Sequence, residues 1–178
     1  MTAQIGDTFR FQGEEYALIG IAGGKLFSPQ QYGMEPGMIH TACYRGFYAT
    51  HEIADSGIFL QQLTIREEHG NYRPINGVVG EKQDFQAVYR NVNLPVPFTG
   101  KLRLAKDLIE ELHIHMGFQK PTAFQTVYDL EFEHGRLVEV RDRAKEMEEK
   151  RGAFKKRFED DNMFRGIEEA FSLDMNLE

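Results

Sequence analysis

Apolar and polar residues alternate along much of the chain, in short runs that come in pairs with turn residues between them. "TVYDLEF" (126–132) is the clearest run: Val127, Asp129 and Glu131 fall on one side of an extended chain, Tyr128, Leu130 and Phe132 on the other. His134-Gly135 follows as a tight turn, since glycine accepts a positive φ at no steric cost, and "RLVEVRD" resumes the alternation. "THEIAD" and "IFLQQLTI" repeat the arrangement around Ser56-Gly57, and Lys106-Asp107 is expected to turn "KLRLA" into "LIEELHIHM". These patterns predict antiparallel meanders.

The chain also echoes itself. "GKLF" begins at Gly24 and "GKLR" at Gly100; Phe11, Gln12 and Tyr16 return as Phe85, Gln86 and Tyr89; the Gly57 turn returns at Gly135. The offsets are 73 to 74 for the first aromatic pairs, 76 for "GKL" and 78 for the turns, the slow drift that two copies with small loop insertions would show. We therefore expect one mainly β domain over 1–178, built from halves at 1–75 and 80–141 related by internal duplication. The two meanders would form a barrel or a strongly curved sheet, because closure removes exposed strand edges. "FSPQQYGMEPGMIHT" (27–41) has the proline and glycine content of an irregular loop, and 71–83 reads as the link between halves.

From Asp142 the spacing changes to a helical tail over 142–178. Asp142 is the expected N-cap, Ala144, Met147, Phe154 and Phe158 share a face, and Glu146 and Lys150 form an i,i+4 pair. A short second helix would put Phe164, Ile167 and Phe171 on one side.

Composition narrows the classes of function. Apolar residues are 41% and charged residues 28%, with fourteen Phe, seven Tyr and no Trp, which suits a globular chain with an aromatic core. A net charge of −7 speaks against general binding to nucleic acid or to anionic membranes. The basic stretch Lys155-Lys156-Arg157 is offset by neighbouring acids, residues 141–161 holding eight Lys or Arg and seven Asp or Glu. One cysteine, no leader pattern and no long apolar run lead us to expect a soluble cytoplasmic protein.

Three places carry candidate chemistry. If 107–116 is a strand, Glu111, His113 and His115 share a face, and two histidines at i and i+2 can point at one metal ion. Glu139, with Asp129 and Glu131 as alternatives, would supply the carboxylate ligand, and Glu111 a base. Phe27, Tyr32, Tyr44, Phe47 and Tyr48 could line a pocket for a small apolar ligand, or serve as ordinary core. His40 near Cys43 has the residue types of a nucleophile and base, though a buried cysteine is the commoner outcome. No phosphate-binding loop and no nucleophile elbow occurs, so a non-enzymatic binding protein leads. It would hold an apolar ligand, or a protein partner through the tail; a metal-dependent enzyme and a structural homodimer are the alternatives.

Overall fold

A computed structural model describes residues 2–154 and 172–175. Its strands are β1 (Thr8–Phe11), β2 (Glu14–Gly23), β3 (Phe47–Ala54), β4 (Gly57–Ile65), β5 (Glu81–Gln83), β6 (Gln86–Val96), β7 (Gly100–Leu108), β8 (Phe124–Glu133) and β9 (Arg136–Asp142). Helix α1 (Ala144–Phe154) follows. The strands form one sheet in the order β5-β6-β4-β3-β1-β2-β7-β8-β9. The chain is mainly β, as the alternation predicts. β1 and β3 run parallel, and every other neighbouring pair is antiparallel.

The side chains explain the shape. One apolar cluster joins Phe9 and Leu18 from the middle of the sheet, Tyr89 and Val96 from β6, and Leu130 and Phe132 from β8. Strands that distant in the order can share a core only if the sheet curls around it. The register of β4 against β6 slips between Leu60 and Gln62, and Asn91 and Asn93 opposite adopt positive φ of 54° and 48°. Such bulges add local bend and twist. Curling brings turn to turn: Gly135 N–H donates to the Phe98 carbonyl at 2.6 Å, and His134 N–H to Thr99 Oγ1 at 2.9 Å. The ladder nevertheless stays open, with β5 at one edge and β9 at the other.

β8 has the facing read from its alternation. Leu130 and Phe132 enter the main core with Tyr128 against it, while Val127 joins a second cluster on the other side with Ile19, Ala105, Phe124 and Met147. Met147, on the helix stripe, is 1% exposed, so α1 is the lid on that second face. Asp142 Oδ1 accepts the Ala144 N–H at 2.8 Å, and Lys150 meets Glu146 at 3.2 Å. Phe158, the basic triplet 155–157 and the second helix of Phe164, Ile167 and Phe171 lie outside the described residues.

Several expectations need correction. β7 continues past Lys106 to Leu108, with Asp107 at a positive φ of 61°, and 109–116 is a 3₁₀ turn (Glu110–Leu112) followed by loop, not a strand. The reason is topological: β7 already has β2 on one side and β8 on the other, so no ladder position remains for a strand returning from it. Leu108 and Leu112 accordingly stay exposed. The β3–β4 turn is Asp55-Ser56, with Gly57 the first residue of β4. The two "GKL" stretches are not equivalent, since Gly24 to Phe27 lie in a loop and Gly100 opens β7. The link expected over 71–83 ends in β5, and its irregular part, 71–80, is packed: Ile75 is buried, and the Tyr89 hydroxyl donates to the Arg73 carbonyl at 2.8 Å.

Candidate functional site

The five aromatics proposed for a ligand pocket do not line one wall. Phe27 and Tyr32 lie against each other, ring centroids 5.6 Å apart, and both pack on the main core, as does Phe47. Tyr48 is the next residue along β3 and faces the other way, while Tyr44 is exposed. The interior they would border holds Phe9, Tyr89, Phe98 and Phe132, each essentially fully buried.

His113 and His115 do come together, ring centroids 4.6 Å apart, on the loop between β7 and β8. Glu111 sits in the 3₁₀ turn before them, and Glu139 on the edge strand β9, held by Arg141 at 3.2 Å. Among the described residues no group of three or more His, Cys, Asp or Glu side chains is placed to hold a metal ion. Of the alternative carboxylates, Asp129 is bound by two arginines and Glu131 by Lys101 at 3.4 Å. His40 does not meet the thiol either. Its Nδ1 accepts the Ala42 N–H, and Cys43 Sγ donates to the Phe47 carbonyl at 3.5 Å. Burial pushes the Cys43 thiol up, away from the thiolate a nucleophile needs.

Near Cys43 the sequence hides a polar cluster. Asp7 is buried at the start of β1, where its carboxylate accepts from Arg45 and from the Ala49 N–H. Arg45 also donates to the Phe47 carbonyl at 2.7 Å and lies over the Phe47 ring. His51 is fully buried beside them, stacked on Phe9 at 4.7 Å, with no hydrogen-bond partner on either ring nitrogen. Burial, the largest influence, lowers its pKa; Asp7 works against that and Arg45 with it.

The most organised charged site lies on the helix-bearing side of β7, β8 and β9. Arg103, 3% exposed, gives Asp129 two parallel bonds, Nε to Oδ1 at 2.7 Å and Nη2 to Oδ2 at 2.9 Å. Arg143 adds Nη1 to Oδ2 at 2.7 Å and reaches Glu146 at 2.5 Å with Nη2. This network closes one wall of a cavity of about 180 Å³ whose lining also includes Lys101, Glu131, Glu139, Arg141 and Met175.

Met175 belongs to the last described segment of the chain. β1 pairs with β2 as far as Ala17, and Leu18 N–H still donates to the Asp7 carbonyl at 2.9 Å, so the open edge of β2 begins beyond Leu18. Residues 172–175 fill it. Ile21 N–H donates to the Leu173 carbonyl at 2.6 Å, Ile21 and Asp174 pair in parallel, and Leu173 packs against the main core. Met175 crosses Gly20: a Cβ there would lie 2.7 Å from Met175 Cγ and 3.0 Å from Arg103 Cβ. Gly20 thus makes room for the segment, and a glycine inside an apolar strand was the sequence signal for such a close approach.

No family model, no curated protein and no solved structure matches the chain.

Proposed function

We propose that the chain is a non-enzymatic protein-binding module, taking an extended segment along the open half of β2, the place its own residues 172–175 hold. The observation that carries this reading is the backbone pairing of Ile21 with Leu173 and Asp174, with Gly20 leaving space for Met175. Strand addition of this kind draws affinity from main-chain hydrogen bonds and selectivity from the pockets that take alternate side chains. Here the pockets are the core margin that takes Leu173 and the charged cavity beside Met175. A partner would offer an apolar residue, then an acidic one, then a long flexible one. Choosing this over an apolar ligand rests on the large side chains that occupy the interior. Choosing it over a metal enzyme rests on the engaged carboxylates at 129, 131 and 139.

The test is binding in trans. A chain ending at Phe171 should keep its β-sheet circular dichroism and bind a labelled peptide of residues 172–178 saturably by fluorescence anisotropy. The same peptide carrying Leu173→Asp should bind at least about tenfold more weakly, the effect of losing roughly 1.4 kcal/mol of apolar burial. A folded truncated chain that ignores both peptides contradicts the reading.

A further inference from the structure

We propose that the free edge of β9 is a self-association surface, where a second copy of the chain adds its own β9 antiparallel about a two-fold axis through Val140. β9 ends the strand order, and its seven residues offer a longer edge than the three of β5 at the opposite end. It also exposes two valines, Val138 at 52% and Val140 at 44%. Protected edges avoid exposed apolar side chains; edges that pair use them.

The ladder itself selects the register. Arg143 N–H donates to the Val127 carbonyl at 2.8 Å, one residue beyond the Tyr128–Asp142 pair that ends the β8–β9 ladder. Hydrogen-bonded pairs alternate along an antiparallel ladder, so Arg141 and Glu139 also bond to β8, while Val140 and Asp142 direct their backbone groups to the free side. A second β9 must therefore bond through Val140 and Asp142. Three two-fold registers about the middle of β9 are in phase with that requirement. One is centred on Glu139 and sets the two Glu139 carboxylates against each other in a close non-bonded pair. A second, centred on Arg141, sets the two Arg141 side chains against each other in the same way. The third is centred on Val140: Val140 meets its own copy, Val138 meets Asp142, and Glu139 faces the copy's Arg141 twice. Opposite charges directly across a strand pair stabilise it and like charges oppose it, so the Val140 register wins. Glu139 and Arg141 already lie 3.2 Å apart within one chain, on the face that the exchange needs.

Helix α1 leaves this edge clear. The chain turns from Arg143 toward β8, and Met147 settles among Ile19, Ala105 and Val127 on the far side of that strand. Among the described residues nothing pairs with the outer edge of β9.

Sedimentation equilibrium of the full chain over a wide concentration range tests this directly. The weight-average mass should rise toward twice the monomer value. Arg141→Glu should weaken association by about tenfold or more, since it turns two attractive cross-strand pairs into repulsive ones. The double variant Glu139→Arg with Arg141→Glu should restore it, because the swapped charges again face each other. Val140→Pro, which removes an N–H that β8 does not use, should give a folded monomer by circular dichroism. A wild-type chain that stays monomeric throughout, an Arg141→Glu variant that associates like wild type, or a charge swap that fails to rescue overturns the proposal. A dimer that survives Val140→Pro overturns it as well, placing the interface elsewhere.

Discussion

Replacing Asp129 by alanine should cost about 3 kcal/mol or more of folding stability, the usual effect of removing one partner from a buried ion pair. Asp129 holds both forks of Arg103 and one nitrogen of Arg143, with side-chain exposures of 13%, 4% and 16% respectively. Without the carboxylate, two guanidinium groups remain in a poorly hydrated place beside the helix lid. Glu131, two residues along the same strand and on the same face, provides the contrast. Its bond to Lys101 is 3.4 Å long between side chains that are 38% and 53% exposed. Exposed pairs contribute roughly 0 to 1 kcal/mol, so Glu131→Ala should stay within about 0.5 kcal/mol of wild type. Urea denaturation of both variants decides the matter. Equal losses would mean that the Arg103 network carries no special weight.

The second large effect concerns His51 and has the opposite sign. A buried imidazole with neither nitrogen bonded costs about 1 to 3 kcal/mol in desolvation. His51→Leu, close in volume, should therefore raise stability at pH 7 by about 1 kcal/mol despite losing the stack on Phe9. The pH dependence gives a sharper test. The folded-state pKa of His51 is depressed below its ordinary 6.5, so the unfolded chain binds the proton first. The stability that neutral His51 permits is complete above about pH 6.5 and drains away as pH falls, by up to about 1.4 kcal/mol per pH unit. Burial also raises the Cys43 thiol pKa, and Glu67 and Glu146 have lowered ones, but these groups titrate outside the window between pH 5 and 7. Wild type should lose stability across that window and His51→Leu should lose much less. Parallel pH profiles would show that His51 takes up its proton equally readily in the folded and unfolded chain, so that burial does not depress it.

How legible all this was in the sequence depended on whether a pattern is local. The alternation of Val127 through Phe132 fixed both faces of β8, and His134-Gly135 its turn, because pleat and turn geometry are decided within a few residues. Asp142 and the Glu146–Lys150 pair were readable for the same reason. The run from Leu108 to Met116 looked equally regular, yet whether it pairs depends on which strands flank β7, and nothing within the run records that. Hence the pattern places His113 and His115 on a strand, whereas they lie on a loop. The Arg103–Asp129–Arg143 network joins three parts of the chain, so no local pattern announces it. Its one local trace was an arginine between Leu102 and Leu104, with Asp129 alternating among apolar residues on β8. Of the carboxylates read as metal ligands, only Asp129 partners these arginines; Glu131 pairs with Lys101 and Glu139 with Arg141. The segment 172–175 left only a glycine in "ALIGIAG" as its trace.

The docked segment is best examined at a single amide. Ile21 N–H has the Leu173 carbonyl as its acceptor, and β1 stops short of it. Hydrogen exchange at Ile21, followed by NMR, should show protection in the full chain. In the chain ending at Phe171 the rate should rise by about tenfold or more, roughly 1.4 kcal/mol of lost local stability, with the β4 and β8 amides unchanged. Adding the peptide of residues 172–178 should restore the slow rate. An Ile21 amide that exchanges equally slowly with and without the segment would contradict strand addition at β2, and with it the proposed binding strip.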